Sequence, residues 1–306
     1  KFNYGFVNRP ESTIQQNFIF KNNNTSHLAK IGADIYFNDK NTLSFYTMQS
    51  WLNNDAGGST IITQNNTLTS DSNNIQIEDN KSATYNLNYK LDLKKEGHNI
   101  EFEANYNEEE GIEDANNIDF FNTTDGNLNY LTDISIDKKN TLFNLDYTNP
   151  LTKNIKLELG LEYRKNQTDN RNITTQLDNL NSNFTYNRNI YSGYINYNHK
   201  IGKVALQLGT RIEQYKIEGN FNQQDESSEK ITDEIFSLYP SAYLTFDPTE
   251  KHQFQLSFSR RVDRPGIQQL NPIREWSTPL ITAIGNPNLV PQFTNSIEFN
   301  FTKKIK

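Results

Sequence analysis

The chain has 306 residues, a formal charge of −7 and no cysteine. The absence of cysteine excludes disulfides, thiolate metal sites and cysteine nucleophiles, and an acidic chain with no basic stripe is not expected to bind nucleic acid. A mean hydropathy of −0.81 is typical of a disordered or merely soluble chain, but 12% of the residues are aromatic, and disordered segments lack aromatic residues.

Apolar residues alternate with polar ones in short stretches along the whole chain, which predicts β-strands. About twelve such stretches can be counted, each of roughly ten residues or fewer. In chain order they are 2–6, 31–37, 43–51, 85–93, 100–106, 143–147, 155–163, 191–197, 204–208, 238–246, 254–258 and 297–301.

Short and long connections between these strands follow a regular order. Short polar turns centre near residues 40, 97, 152, 202 and 250, and Pro248 fixes φ near the start of the last one. Long polar stretches lie between them and are expected to be loops. They are the segment 8–27, the loop 53–81, a loop reaching residue 139 that contains the acidic stretch 108–119, another polar loop before residue 191, and the loops 214–235 and 259–293.

Alternation alone leaves two classes open, a soluble all-β protein and a membrane β-barrel. Ten residues is the length that a tilted strand needs to cross a bilayer, and short turns on one side with long loops on the other are the bacterial outer-membrane pattern. A propeller would need four short strands per period, whereas only two long ones can be read here. The sequence contains no run of about 18 or more apolar residues, so no membrane-spanning helix is predicted. The sequence therefore favours an all-β, antiparallel transmembrane β-barrel.

Aromatic residues near the predicted strand ends suit the two interfaces of a membrane, although the high β-propensity of tyrosine explains any single one equally well. The residues in question are Tyr36, Trp51, Tyr89, Tyr106, Tyr147, Tyr163 and Tyr197.

The last long loop carries an ordered motif: S-R-R-x-x-R-P, then L-N-P, then G-N-P-x-L-x-P. Its residues are Ser259, Arg260, Arg261, Arg264, Pro265, Leu270, Asn271, Pro272, Gly285, Asn286, Pro287, Leu289 and Pro291. In this segment the chain resembles the TonB-dependent receptor-like outer-membrane β-barrels of Bacteroidota, with one departure, Gln292 in place of the usual glutamate. The resemblance covers about 45 residues closely, and the strand rhythm extends it over the chain.

The resemblance implies a 22-stranded barrel in the outer membrane, filled by an N-terminal plug domain whose short segment binds the TonB complex. Residues 1–306 are then expected to be a barrel portion without the plug, completed by residues elsewhere; closure as a smaller 12-strand barrel is the less favoured alternative, because edge strands left unpaired in lipid are costly. Outer-membrane lipid, lipopolysaccharide and other outer-membrane or surface proteins are further expected partners.

The motif residues are expected to shape the mouth of the barrel rather than to contact a ligand. Five prolines stiffen the loop, and Gly285 and Asn286 can adopt positive φ. The arginines can pair with acidic loops or with carboxylates in the lumen. No ligand-binding residue is assigned.

Catalysis finds no support in the sequence, and no cofactor or metal is expected. The four histidines, His27, His98, His199 and His252, are expected beside turns or strand ends and have no metal-binding spacing. The acidic cluster at 108–114 lacks the spacing of an EF-hand and is expected to be a solvated loop rather than a calcium site.

Two functional hypotheses follow. The first is an importer that captures a scarce ligand in its outer loops and moves it inward with energy from the TonB complex. The second is a non-transporting barrel that serves as a scaffold or subunit of a larger outer-membrane assembly, and a passive 12-strand pore is a third, weaker one.

Overall fold

The chain folds into one antiparallel sheet of twelve strands, which confirms the predicted fold class and strand number. The computed structural model describes residues 7–9, 12–121, 127–175, 181–224, 228–271, 275–278, 281–283, 285–286 and 288–304. The predicted first strand at 2–6 and the prolines Pro272, Pro279 and Pro287 lie outside these residues.

Every strand of the main sheet pairs with its neighbour in sequence, except that the last pairing joins β11 to β14. The first six strands are β1 (Val7–Arg9), β2 (Ser12–Asn38), β3 (Asn41–Gln64), β4 (Thr67–Asp92), β5 (Asn99–Phe121) and β6 (Asn127–Asn149). The other six are β7 (Ile155–Thr174), β8 (Ser182–Ile201), β9 (Val204–Gln223), β10 (Glu229–Thr249), β11 (His252–Asp263) and β14 (Gln292–Lys303).

Between β11 and β14 the described residues form three small elements. These are the short helix α1 (Ile267–Leu270) and the two strands β12 (Glu275–Thr278) and β13 (Ile281–Ala283), which pair with each other. No helix among the described residues is long and apolar enough to cross a membrane.

The apolar residues of neighbouring strands lie opposite one another and form a continuous band on one face of the sheet. Leu145 pairs with Leu161, and Leu206 with Leu244. Leu244 pairs in turn with Leu256, and Leu256 with Phe299. Leu145, Leu161, Leu244, Leu256 and Phe299 are exposed in spite of their hydrophobicity, which is the condition of the lipid-facing surface of a barrel. We call the twelve-stranded sheet the wall. Its other face is polar and is the interior face.

The strands are much longer than ten residues, so the predicted strand lengths are wrong. Strands β2 to β10 have 20–27 residues each. Most residues of the expected loops at 53–81, 108–139 and 214–235 therefore belong to strands that extend beyond the apolar band. Strand β2 likewise includes much of the polar segment 8–27, with His27.

Polar side chains support these extensions where no lipid requires an apolar face. On the interior face an amide row crosses the sheet: Asn107 donates to the Thr84 hydroxyl at 3.0 Å, and Asn140 donates to Asn107 at 3.4 Å. Farther along the same row, Arg188 donates to Asn166 at 2.8 Å. Because this pairing needs no apolar alternation, the hydrophobic pattern could not predict the extensions.

The hairpin between β3 and β4 closes through two asparagines in the left-handed region, Asn65 at φ 51° and Asn66 at φ 65°. Two consecutive residues of positive φ are the mark of a type I′ hairpin turn, whose twist matches that of the flanking strands. This turn replaces the long loop expected at 53–81.

Tyrosines border the apolar band at both of its ends. At the short-turn end, Tyr89 donates to Asn41 at 2.6 Å, while Tyr147 lies 3.0 Å from His98 Nε2 and Tyr197 lies 3.1 Å from His199 Nδ1. At the other end Tyr163 and Tyr191 are neighbours, with ring centroids 4.9 Å apart. Three aromatic residues expected at strand ends lie inside strands instead: Trp51 in β3, Tyr106 in β5 and Tyr163 in β7. Tyr36 is exposed near the end of β2.

Gly160 marks a close approach on the interior face. A Cβ atom there would lie 2.0 Å from the Tyr194 ring and 2.6 Å from an oxygen of Asp146, to which the Tyr194 hydroxyl donates a hydrogen bond of 2.5 Å.

We expect Gly160→Ala to displace Tyr194 and to lower the free energy of unfolding by about 1–3 kcal/mol, measured by denaturant unfolding of the detergent-solubilised protein. Gly57→Ala is the matched control, since a Cβ there meets only ordinary contact at 3.5 Å. Equal stabilities of the two variants would contradict the close packing at Gly160.

Candidate functional site

Of the motif segment, residues 259–291, the part 264–271 folds back against the interior face of the wall. Arg264 is its anchor: one terminal nitrogen donates to the Glu213 carboxylate and, at 3.1 Å, to the Tyr239 hydroxyl. The Arg264 guanidinium also lies 5.0 Å from the centre of the Tyr215 ring. Since the side chains of Arg264 and Glu213 are only 17% and 8% exposed, this ion pair is largely removed from water.

Glu213 belongs to a wider charge network on β7, β8 and β9. Arg211 donates to Glu213 at 2.8 Å, and it also donates at 2.6 Å to both Glu162 and Ser192. Arg164 pairs with Glu162 at 3.1 Å. Two carboxylates are thus shared among three guanidinium groups, an arrangement that holds charges in fixed positions inside the wall.

Sheet register explains why these residues meet. Glu162 pairs with Ser192 across β7 and β8, and Ser192 pairs with Glu213 across β8 and β9. Tyr239 pairs with Arg211 across β9 and β10. Neighbouring residues at matching strand positions point to the same face, so the register alone collects the network at one height of the wall.

A buried apolar cluster lies farther from the membrane on the same interior face. Leu270, at the end of α1, is 2% exposed and belongs to this cluster, with Ile231, Ile235 and Ile267 packed against it. The wall contributes Phe184, Tyr186, Ile190, Tyr215, Ile217 and Phe221. The rings of Phe184 and Phe221 stack with centroids 4.4 Å apart, and burial raises the pKa of the Tyr186 phenol above its ordinary value.

The L-N and G-N parts of the motif join each other directly. Gly285 N–H donates to the Asn271 carbonyl at 2.7 Å, and Asn286 N–H donates to the Gln269 carbonyl at 2.7 Å. A Cβ at Gly285 would lie 2.4 Å from the Asn271 carbonyl oxygen and 2.8 Å from that of Gln269. Gly285 is therefore required for space; neither it nor Asn286 has the positive φ considered from the sequence.

We expect Gly285→Ala to separate the two parts of the motif, because backbone atoms rather than flexible side-chain ends would have to move. The cost is about 1–3 kcal/mol, and hydrogen exchange of the amides of Asn271, Gly285 and Asn286 should accelerate. Gly266→Ala is the control within the segment, since a Cβ there meets only the Gln269 side chain at 3.7 Å. Unchanged exchange in Gly285→Ala would contradict this junction.

The other motif residues that the structure describes do not converge on one point. Ser259 pairs with Ser241 and Ser296 in the sheet, and Arg261 is exposed. The Arg260 guanidinium lies 4.9 Å from the Phe293 ring centre. Pro265 and Pro291 are half-buried, while Leu289 is exposed. Arg264, Leu270, Asn271, Gly285 and Asn286 are thus the motif residues that tie the segment to the wall and to itself.

Sequence reasoning missed the wall side of this site. Glu162, Arg211, Glu213 and Tyr239 occupy ordinary polar positions of strands, and no local motif marks them. The available signal was charge on the interior face of neighbouring strands, which becomes readable only when the register is known.

A metal centre has no basis in the part of the chain that is described, where no cluster of three or more potential ligands occurs. His98, His199 and His252 lie beside short turns as expected, and each contacts a neighbouring hydroxyl group. His27 is the exception, since it pairs with Trp51 in the middle of β2. The acidic stretch at 108–114 lies within β5, not in a loop, and Glu109 pairs with Lys138 at 2.7 Å.

Solved structures of outer-membrane receptors have a similar fold. The ferric-catecholate import receptor Fiu of E. coli K12 superposes with a TM-score of 0.54 at 10% identity, covering 96% of this chain and 54% of the receptor. The alcaligin receptor FauA of Bordetella pertussis gives 0.51 at 12% identity, covering 98% of this chain and 49% of the receptor. The siderophore receptor PiuA of Acinetobacter baumannii gives 0.51 at 12% identity, covering 94% and 52%.

The chain thus spans about half the length of these receptors. At these identities the similarity concerns the fold. No curated protein matches the sequence.

The antiparallel wall has an apolar band outside, a polar face inside and short turns at one end. These features define a β-barrel of the bacterial outer membrane. The chain belongs to the outer membrane protein beta-barrel family, whose pattern it matches over residues 91–306, and it resides in the outer membrane.

Proposed function

We propose that this chain is the wall of an importer that takes a ligand from outside the cell across the outer membrane. The main support is the superposition of nearly the whole chain on about half the length of three receptors, an alcaligin receptor, a siderophore receptor and a ferric-catecholate import receptor. A polar interior face that holds an inward-folded segment by fixed charges is consistent with a barrel that guides a solute rather than one that serves as a membrane anchor alone.

Energy for this import is proposed to come from the TonB complex of the inner membrane. This requires a plug domain with a TonB-binding segment, which we propose to lie outside the 306 residues together with the strands that complete a 22-stranded barrel. The motif segment leads us to propose a Bacteroidota source. The activity is binding and transport rather than catalysis.

The test is the intact mass and N-terminal sequence of the native protein extracted from outer membranes, followed by uptake assays in strains with and without TonB. We expect a mass far above 35.5 kDa, a plug-like N-terminus and a growth advantage on a scarce nutrient that disappears without TonB. A native mass near 35.5 kDa, or growth independent of TonB, would contradict the importer.

A second function, a scaffold or subunit of a larger outer-membrane assembly, is favoured by one specific observation. Beyond the membrane band, apolar side chains are exposed on β4, β5 and β6: Ile75, Ile77, Ile112 and Leu131 are 49–60% exposed. Apolar groups gathered on an otherwise polar surface suit a protein contact. Co-purification of a stoichiometric partner that is lost in Ile77→Asn/Ile112→Asn, with nutrient uptake absent throughout, would support the scaffold in place of the importer.

A further inference from the structure

Strand β10 has a partner along its whole length on one side only. It pairs with β9 from Glu229 to Phe246, whereas it pairs with β11 only from Ser241 to Thr249. Strands β11 and β14 have 12 residues each and β10 has 21, so the wall is lower beside the part of β10 that lies away from the short turns. No described strand pairs with residues 229–240 on that side. This segment is a free edge within the wall, and we call it the β10 edge.

Pro240 explains where the β10 edge begins. Asp247 N–H donates to the carbonyl of Lys203, the residue before β9, at 2.9 Å. The backbone groups of successive residues in an antiparallel strand point alternately to its two sides. Because the register with β9 runs without a shift, the even-numbered residues of β10 direct their N–H and C=O groups toward β11. Pro240 is one of them and has no N–H to donate, so the ladder between β10 and β11 ends before it.

The β10 edge presents a row of backbone groups that have no strand partner. The residues that direct these groups away from β9 are Lys230, Thr232, Glu234, Phe236 and Leu238. Leu238 lies at the height of the apolar band, since it pairs with Ile212, which pairs with Gly193. Backbone groups at that height need a partner because lipid offers no water. Residues 229–239 contain neither a proline nor a bulge that would protect the edge, and an unprotected edge is a template for another strand.

The order of strands indicates that this template serves a separate polypeptide. Strand β10 is followed in the sheet by β11 and then by β14, so a strand that follows β14 adds to the far side of β14 and does not reach the β10 edge. Residues 264–271 of the motif segment lie on the interior face instead, where Ile231, Ile235 and Ile267 pack against the apolar cluster. On the outer face Phe236 is 66% exposed and Leu238 50% exposed.

The side chains of the edge indicate the chemistry of the incoming strand. Ile231, Asp233 and Ile235 share the interior face of β10. Residues directly opposite them on an added strand would contact them, so an apolar, a basic and an apolar residue at alternate positions are favoured. Residues 229–240 contain three carboxylates and one ammonium group, which also favours a basic partner.

We propose that the β10 edge binds an extended segment of another protein, which adds a strand to the wall at the end opposite the short turns and carries a basic residue between apolar ones. Hydrogen bonds between the main chains supply the affinity of such a contact, and side chains at alternate positions supply its specificity. The surface is separate from the exposed apolar residues of β4, β5 and β6, and it requires neither transport nor the TonB complex.

The test uses a synthetic peptide with blocked ends and the sequence Thr-Val-Thr-Lys-Thr-Val-Thr, which reads the same in both directions and so fits either strand orientation. The peptide is added to the full protein in a neutral detergent, and amide hydrogen exchange is measured residue by residue. We expect about tenfold slower exchange at Thr232 and Glu234, whose N–H groups face the edge. Exchange at Asp233 and Ile235 should not change, because their N–H groups already face β9.

Two variants separate the backbone bonds from the charge. Thr232→Pro removes an N–H of the edge and leaves the ladder to β9 intact, so the protection by the peptide should disappear. Asp233→Lys should weaken peptide binding several-fold and should favour a twin peptide with glutamate in place of lysine. Asp133→Lys, which makes the same change on β6, is the matched control and should bind as the wild type does. Heat-modifiable mobility on gels verifies the folding of each variant.

A third peptide keeps the proposal testable whatever the stability of the variants. It is N-methylated at its threonines, whose N–H groups face the edge when the lysine lies opposite Asp233. Equal protection by this peptide would indicate adsorption without strand pairing and would overturn the proposal. Protection of Thr232 and Glu234 in the absence of peptide, lost on dilution of the protein, would overturn it too, because the occupant would then be a second copy of this chain.

Discussion

Replacing Arg264 by alanine is expected to release the motif segment from the wall. Arg264 contributes bonds to Glu213 and Tyr239 from a position only 17% exposed. Removing one partner of a buried pair costs about 3–5 kcal/mol, because the other charge stays buried. Arg211 still binds Glu213, so we expect the lower end of that range, about 3 kcal/mol. The strands of the wall should stay folded.

Hydrogen exchange measures this effect locally. Amides of α1 and Asn271 should exchange about a hundredfold faster in Arg264→Ala than in the wild type. Arg261→Ala is the control from the same motif, since Arg261 is exposed, and it should leave exchange unchanged. Arg264→Lys should restore only part of the protection, because a lysine cannot reproduce the planar geometry of the guanidinium group.

A double variant separates charge from shape. In Arg264→Ala/Glu213→Gln the buried carboxylate that has lost one of its two arginine partners is replaced by a neutral amide, so the second change should recover part of the loss. If the amides of α1 in Arg264→Ala exchange as slowly as in the wild type, Arg264 does not anchor the segment.

Replacing Leu270 by alanine is the second large change expected. Leu270 is 2% exposed within the apolar cluster of the wall, and truncation of a buried leucine costs about 2–5 kcal/mol through lost transfer energy and the cavity left behind. We expect faster exchange in α1 and increased proteolysis of the motif segment, with little change in the unfolding of the wall.

Leu289→Ala is the matched control, since Leu289 belongs to the same motif but is 41% exposed. Its protease sensitivity should equal that of the wild type. Leu270→Met should have nearly the protease sensitivity of the wild type, because it conserves the side-chain volume. Equal sensitivity of Leu270→Ala and Leu289→Ala would contradict the packing of Leu270 against β8, β9 and β10.

The membrane part of this fold could be predicted from the sequence because lipid imposes a period of two on one face. The stretch 204–208, for example, alternates Val204, Leu206 and Leu208 outward, and the register places these residues opposite Phe246, Leu244 and Ala242. The lengths could not be predicted, since β9 continues to Gln223 through residues such as Lys216 and Asn220, where no lipid selects apolar side chains.

The sequence identified the motif residues of the site but not the strand residues that bind them. Arg264 and Gly285 were found through a motif, and the possible pairing of the arginines with lumen carboxylates followed from their charge. Their partners were not identified, because Glu213 lies 51 residues before Arg264 in the chain. Contacts of that separation depend on strand register rather than on local sequence.

The central claim is that residues 264–271 of the motif segment lie against the interior face of the barrel wall. The chain has no cysteine, so single cysteines can be labelled on intact cells with a membrane-impermeant maleimide. Asn271→Cys replaces a residue only 6% exposed, and Leu289→Cys one that is 41% exposed. We predict slow labelling at position 271, at least tenfold slower than at position 289, and a rise to the rate of position 289 when Arg264→Ala is added. Rapid labelling at position 271 in the otherwise unchanged protein would contradict the inward fold.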